Sequence, residues 1–256
     1  MTITSNSFQT VFHYWASRFD CDVALLHTSG STILPEEQLH GENRFYLYTI
    51  GQHSFLRCDP LLVESMQQLL AQCPANKTIA EANLHAFFGA RLHTDGHHPH
   101  FYLQASHFQP TPSPDGIVMR RLREDEHGRL DHFLDNCTAT DIEFADIKRD
   151  NPDPVIICGF DGDQIVAYAS YRPVSAYGGD PQYGDQIGDI GVLIHADYRG
   201  WGLGKAIVAA QSQWCLENNV TPQYQVLETN RHSYRIPIAL GYQQLLSIRV
   251  YNLDTN

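Results

Sequence analysis

The chain has 256 residues, enough for one large domain or two ordinary ones, and its 43% hydrophobic and 18% charged residues are the balance of a globular protein, not a disordered one. No apolar stretch approaches the roughly 20 residues that a membrane span needs, and the opening "MTITSNSFQTVFHYW" has neither the basic start nor the apolar core of a secretory signal. Lys+Arg 17 against Asp+Glu 29 leaves a net charge of −12, a surface that repels a phosphate backbone, disfavours nucleic acid and suits a cationic small substrate.

In chain order, Phe8, Phe12, Trp15 and Phe19 recur at helical spacing and predict an opening amphipathic helix. "RFYLYTI" (44–50) and "HSFLRC" (53–58) are β-rich runs separated by "GQ", which predicts a hairpin. "CDPLLVESMQQLLAQC" (58–73) carries Asp59 as helix N-cap and Pro60 at the first helical position. "KTIAEANLHAFFGARL" (77–92) carries Thr78 and Glu81 at capping-box spacing. The histidine-rich "HTDGHHPH" (93–100), with Gly96 and Pro99, reads as a solvated loop with at most adventitious metal affinity, and "HFYLQA" (100–105) returns to strand.

"HFQPTPSPDG" (107–116) alternates proline with polar residues and predicts an extended linker over 109–115, dividing the chain into 1–108 and 116–256. Beyond it, "GIVMRRL" reads as a strand and "REDEHGRLDHFLDNC" (123–137) as a helix with an acidic first turn. "PVIICGF" and "QIVAYASYRPV" flank "DGD", a hairpin signal. "QIGDIGVLIHA" (186–196) is a further strand, "YQVLETN" (224–230) another, "RHSYRIPIALGY" (231–242) a helix, and "QLLSIRVYNL" (244–253) a closing strand. Six cysteines, Cys21, Cys58, Cys73, Cys137, Cys158 and Cys215, lie far apart with no C-x-x-C pair, which fits buried small hydrophobes in a reduced, cytoplasmic compartment and no metal site.

The chemistry concentrates in "YRGWGLGKAI" (198–207), where a strand ends and a helix begins. The expected helix has an apolar stripe through Leu203, Ile207, Ala210 and Trp214. Its first N–H groups lack internal partners and sit at the positive end of the helix dipole. Glycine at 200, 202 and 204 lets an anion reach those groups without meeting a β-carbon. A phosphate-binding loop of the G-x-x-x-x-G-K-[ST] kind fails, because Ala206 follows Lys205 and no glycine lies five residues before Gly204. A dinucleotide G-x-G-x-x-G also fails, since its last position falls on Lys205 or Ile207. What matches is (Q/R)-x-x-G-x-(G/A), as Arg199, Gly202 and Gly204.

That pattern resembles the coenzyme A pyrophosphate motif of the GNAT superfamily of N-acetyltransferases. "GVLIHADYRGWGLGKAIV" is similar to the family's strand–loop–helix unit, and Asn230 with "ALGY" (239–242) resembles its second signature. "DGDQIVAYASY" is similar to a hairpin the family uses, so the resemblance covers about 116–252. It implies an α/β fold whose C-terminal part is a mixed, mostly antiparallel sheet flanked by helices, preceded by a smaller α/β N-terminal domain. It implies acetyl-CoA as co-substrate, with the main chain of Val192, Leu193 and Ile194 along the pantetheine arm and the Val192 N–H as oxyanion donor. The N–H groups of Gly200, Trp201, Gly202, Leu203, Gly204 and Lys205 would hold the pyrophosphate, and Asn230 would contact the cofactor beyond the thioester.

The proton chemistry departs from the family pattern. The family's frequent tyrosine acid, seven residues after the signature Asn, is here Pro237, which predicts a short or kinked helix. Tyr234 or Ser233 stand as substitute acids, and Asp189, Glu228 and His195 as candidate bases, with ordered water as a further route. The expectation is an N-acyltransferase acetylating a small amine by direct attack on the thioester, with Asp189 and Tyr234 as its catalytic pair. The alternative is a non-catalytic acyl-CoA-binding module. The glycine-rich "PVSAYGGDPQYGDQ" (173–186) is expected either in the acceptor wall or as a flexible loop, and the N-terminal half either over the acceptor or in a homodimer.

Overall fold

In the computed structural model, which describes residues 8–74, 77–149 and 154–254, the first half of the chain forms α1 (Gln9–Arg18), α2 (Val23–Leu26), β1 (Gly30–Pro35), β2 (Arg44–Ile50), β3 (His53–Cys58), α3 (Val63–Ala71), α4 (Glu81–Phe88) and β4 (Leu92–Tyr102). The second half forms β5 (Ile117–Arg121), α5 (His127–Asp135), α6 (Ala139–Phe144), β6 (Val155–Asp161), β7 (Gln164–Pro173), α7 (Pro181–Gly184), β8 (Ile187–Ile194), α8 (Leu203–Glu217), β9 (Thr221–Gln225), α9 (Arg231–Ala239) and β10 (Gln243–Leu253). Mixed α/β architecture with a mostly antiparallel sheet flanked by helices is thus what the chain adopts. Contacts divide it into two units: Val11–His100 with Val226–Asn230 and Gln244–Asn256, and Phe101–Gln225 with Arg231–Gln243 and the chain start to Thr10. The Pro-rich segment 107–116 lies within the second of these units.

The first unit orders its strands β1-β3-β2-β10-β4. The β2–β3 hairpin turns at Gly51, whose φ of +58° suits glycine and where a Cβ would overlap the Leu26 carbonyl. Alternation along β2 sends Phe45 and Leu47 to one face, where they meet Leu56, Met66, Leu69, Leu84, Phe88 and Tyr251 under α3 and α4. Tyr48 and Phe55 point the other way, onto Trp15 of α1 and Phe19 just after it, with Phe19 stacked on Phe55 at 4.0 Å. Asp59 caps as expected, its Oδ1 accepting from the Leu61 N–H at 2.9 Å, but it opens a short 3-10 turn before α3.

The second unit orders its strands β9-β8-β7-β6-β5. The hairpin read from "DGD" is present, with Asp161↔Gln164 closing a two-residue turn at Gly162, φ +56°. Leu130, Phe133 and Leu134 of α5 pack with Ile156, Cys158, Tyr168 and Leu193 on one face of the sheet. On the opposite side α8 buries Leu203, Ala206, Ile207, Gln211 and Cys215. Its stripe therefore lies one residue round from the expected Ala210 and Trp214; Trp214 instead stacks on Tyr171 at 5.4 Å, half-buried.

Four local expectations change. Residues 93–100 are strand, not loop, because β4 runs from Leu92 and its main chain pairs onward, the Glu228 N–H donating to the His97 carbonyl at 2.9 Å. Among the described residues no group of three or more His, Cys, Asp or Glu side chains is gathered for a metal ion. The α4 cap is two residues later than Thr78: Asn83 Oδ1 accepts from the Ala80 N–H at 2.9 Å. The strand read over 224–230 is instead Thr221–Gln225, which leaves 226–230 outside it, and α6 appears where the sequence reading had no element. Cys58, Cys158 and Cys215 are buried, whereas Cys21, Cys73 and Cys137 are half-buried, and all six are free thiols.

Candidate functional site

Strand β8 leads into the glycine-rich loop. The His195 N–H donates to the Val166 carbonyl at 3.0 Å, which fixes the alternation of the β7–β8 ladder. Leu193, Gly191 and Asp189 therefore turn their main-chain groups to β7, and Ile190, Val192 and Ile194 turn theirs the other way. On that other side the parallel pairing with β9 runs from Ile187↔Thr221 to Asp189↔Gln223, and among the described residues it goes no further. Two adjacent parallel strands thus fork just past Asp189, with the peptide groups of Val192 and Ile194 facing the gap.

After β8 the chain makes a 3-10 turn, Ala196–Tyr198, in which His195 Nδ1 accepts from the Asp197 N–H at 3.3 Å. That role makes His195 a cap for the loop; its ring lines a cavity of about 400 Å³ with His132, Phe133 and Ile165. Gly200 and Gly202 follow with φ of +87° and +81°, the left-handed region that favours glycine. A Cβ at either would meet nothing within 4 Å, so the space above the loop is open. Gly202 is the N-cap of α8 and no side chain caps that end. The first intrahelical bond is Ala206 N–H to the Gly202 carbonyl at 3.2 Å, which leaves the N–H groups of Leu203, Gly204 and Lys205 at the helix mouth. Gly204 has a different reason to be glycine: a Cβ there would lie 3.3 Å from Ile236 Cδ1 of α9. Trp201 is 62% exposed at the loop tip, 5.5 Å from the Tyr198 ring.

Arg199 does not reach into open space. Its Nη2 pairs with Asp141 of α6 at 2.9 Å and its Nε donates to the Ile194 carbonyl at 3.4 Å, so it braces the loop against β8. The Asp141 carboxyl is held below its ordinary range, first by the Thr138 hydroxyl and then by Arg199.

Asp189 lies at the fork. Gln223 Nε2 donates to its Oδ1 at 3.1 Å, and Arg172 faces it in the β7 register. Gln223 is buried at 3% exposure, so this amide can hold the carboxylate in one position. Two phenols absent from the sequence reading stand in the same field. Burial pushes Tyr224 up to about 12; its hydroxyl pairs with Ser233 Oγ at 2.8 Å, and Asp189 adds to the rise. Tyr177 is likewise raised, by burial first and then by Asp189 and Asp146, and its hydroxyl donates to Asp146 Oδ2 at 3.1 Å. Arg172 Nη1 meets that same oxygen at 2.6 Å. The sequence offers Tyr224 only as part of a strand, whereas Tyr177 belongs to the glycine-rich 173–186 segment expected in the acceptor wall or as a flexible loop.

α9 continues through Pro237, which sits buried in its last turn, and ends at Ala239 instead of 242. Tyr242 N–H donates back to the Pro237 carbonyl at 2.9 Å, and Gly241, φ +88°, makes the exit. Tyr234 is half-buried, edge-on to Phe101 at 5.6 Å, and Ser233 is engaged by Tyr224. Asn230 is exposed and belongs to the other unit, as does Glu228, whose Oε2 accepts from His97 Nδ1 at 2.8 Å. Asp189, Val192, Leu193, Ile194, Arg199 through Lys205, and Tyr234 all belong to the second unit.

Residues 119–242 match the acetyltransferase (GNAT) family. The match falls in the C-terminal half of the chain. No curated protein matches the sequence. Among solved structures it is similar to a GCN5-related N-acetyltransferase from Kribbella flavida, at 16% identity and TM-score 0.46, over 68% of this chain and 63% of that one. It is also similar to a GNAT-family acetyltransferase from Colwellia psychrerythraea, at 11% identity and TM-score 0.48, over 78% and 76%. A GCN5-related N-acetyltransferase-like protein from Streptococcus suis gives 17% identity and TM-score 0.42, over 86% and 87%. The chain thus spans less than two thirds of the length of the Kribbella flavida protein. Among the described residues, no helix is long and apolar enough to cross a membrane.

Proposed function

We propose that this protein is an acetyl-CoA-dependent N-acetyltransferase acting on the amine of a small molecule, with 116–256 as its acetyltransferase domain and 1–108 as a separate N-terminal domain. The observation that carries this reading is the open, uncapped mouth of α8 behind two left-handed glycines, beside a strand fork that exposes the Val192 peptide. A diphosphate fits the mouth because its oxygens accept from the N–H groups of Gly200 to Lys205 and meet the positive end of the helix dipole. The pantetheine arm lies along Val192, Leu193 and Ile194, adding hydrogen bonds where β9 has left β8.

In the reaction, the acceptor amine attacks the thioester carbonyl carbon and the Val192 N–H donates to the developing oxyanion. Asp189 takes the proton the amine loses, directly or through one water, and Gln223 keeps its carboxylate in place. The carbon–sulfur bond then breaks, and Tyr234 gives the departing thiolate its proton. Attack is direct, with no acyl-enzyme. The −12 net charge supports a cationic acceptor over nucleic acid, and six free thiols support a reducing cytoplasmic setting.

A second reading, a non-catalytic acyl-CoA-binding module, is favoured by Pro237 standing where the family resemblance expects a tyrosine. Two measurements separate them. Acetyl-CoA at a hundred times its Kd raises apparent stability by about 2.7 kcal/mol if the site is real, seen as a thermal shift. Thiol release from acetyl-CoA across a panel of small amines then marks the enzyme, and a thermal shift without release marks the module.

A further inference from the structure

The first unit holds a chain of three side chains that the acetyl-transfer reading does not use. His97 on β4 has both ring nitrogens engaged: Nδ1 is 2.8 Å from Glu228 Oε2, and Nε2 is 2.9 Å from Ser247 Oγ on β10. A carboxylate only accepts hydrogen bonds, so Nδ1 carries a proton, and in the neutral ring Nε2 then presents its lone pair. The serine hydroxyl is then the donor to Nε2, with its oxygen turned into the better nucleophile. The carboxylate, imidazole and hydroxyl stand in the order and spacing of a serine nucleophile, its base and the group that orients the base.

The surrounding structure holds this arrangement in register. The Glu228 N–H donates to the His97 carbonyl at 2.9 Å, so the carboxylate and ring that pair through their side chains are also tied through their main chains. Gly96 leaves room beside His97 for the His98 ring, whose Nε2 a Cβ there would approach to 2.9 Å, and for Leu227 Cδ1 at 3.4 Å. The His97 side chain is 13% exposed, which shelters the imidazole from bulk water, and Ser247 is partly exposed, which leaves its hydroxyl reachable.

We propose that Ser247, His97 and Glu228 form a nucleophilic centre that cleaves small carboxylic esters through an acyl-serine. Ser247 Oγ attacks the ester carbonyl carbon while its proton passes to His97 Nε2. The bond to the alcohol oxygen breaks, and His97 returns the proton to the departing alcohol. Water, deprotonated by the same nitrogen, then attacks the acyl-serine, releases the carboxylic acid and restores the serine. Glu228 is a positioning residue, acting through His97 Nδ1.

The test uses the full-length protein and a fluorophosphonate probe, in which the serine oxygen displaces fluoride from phosphorus. Peptide mapping of the wild-type protein is expected to place the phosphonyl group on Ser247. His97→Ala is expected to slow labelling by about a hundredfold, with a thermal melt showing the variant folded at the assay temperature. Glu228→Gln, which keeps a hydrogen-bonding group but loses the charge, is expected to slow labelling less than His97→Ala, with p-nitrophenyl acetate hydrolysis falling in parallel. Peptide mapping that finds Ser247 unmodified while other serines react overturns the proposal, and it requires no variant to fold. Labelling of Ser247 at a rate that His97→Ala leaves unchanged overturns it equally. Neither result bears on the acetyl-CoA thermal shift, so the two readings fail separately.

Discussion

The β8–α8 loop and the β8–β9 fork share one strand but are built from different materials. The loop is made of main chain: two left-handed glycines, an uncapped helix start and a 3-10 turn, all within residues 195–205. The fork is made of side chains from distant segments: Gln223 holds Asp189, Tyr224 lies in the field of that carboxylate, and Arg172 and Tyr177 share Asp146. A site made of backbone announces itself as a short pattern of glycines, whereas a side-chain cluster exists only once the fold has assembled it.

The largest effect is expected at the fork. Asp189→Asn keeps the shape and the Gln223 contact while removing the base, so kcat should fall by about a hundredfold or more. The acetyl-CoA thermal shift should stay where it was, because the cofactor is held by main chain. Stopped-flow thiol release and thermal melts on the same preparation check both halves. Unchanged turnover would mean that the proton leaves by another route, and the fork would then be merely structural.

A smaller loss is expected in the loop. Gly202→Val forces a β-branched residue into φ near +81°, which costs about 1–3 kcal/mol wherever the backbone holds that shape. It also sets a side chain in the open space above the helix mouth. Acetyl-CoA affinity measured by calorimetry should fall by at least about tenfold, a difference of about 1.4 kcal/mol. Full affinity in this variant would show that the diphosphate does not sit at this mouth.

How much of this the sequence carries follows from the same contrast. Arg199, Gly202 and Gly204 could be read because spacing along a strand–loop–helix unit is local, and the hairpin at Gly162 could be read for the same reason. The strand over 93–100 could not, since Gly96 and Pro99 suppress the local β signal and partner strands override it. Arg199 was read as part of a phosphate motif, yet its guanidinium engages Asp141, an acid from a helix the sequence reading did not contain. Tyr177 and Tyr224 around Asp189 needed the register of β7, β8 and β9 before their proximity had meaning.

A carboxylate with a structural role sharpens what is asked of Asp189. Glu126, buried at 2% exposure, takes Arg120 at 2.6 and 2.7 Å and the Arg123 N–H at 3.1 Å. Those contacts, the Arg120 hydrogen bonds first, lower it from 4.5 to about 2. A depressed carboxyl stabilises the fold fully above its unfolded value and loses that contribution as pH falls through its folded one. Stability should therefore decline between about pH 4.5 and 2 in the wild type, and this part of the decline should be missing in Glu126→Gln. Denaturant titrations at several acid pH values read this out, with kcat at neutral pH expected to change far less than in Asp189→Asn.

The smallest effect is expected at Gly204, where the loop can be split into its two uses of glycine. Gly202 is glycine for its backbone angle, but Gly204 lies in ordinary helix and is glycine for packing. Alanine there gains helix propensity worth about 1 kcal/mol or less, offset by a Cβ 3.3 Å from Ile236 Cδ1. That atom is the free end of a flexible side chain, so it can yield by a few tenths of an ångström. The N–H that would face a phosphate is unchanged by the added methyl group. Gly204→Ala should thus leave acetyl-CoA affinity within about twofold and shift stability by under about 1 kcal/mol. If Gly204→Ala instead weakened acetyl-CoA as much as Gly202→Val, the loop would be selecting its ligand by close packing against α9, and backbone angle alone would no longer explain the motif.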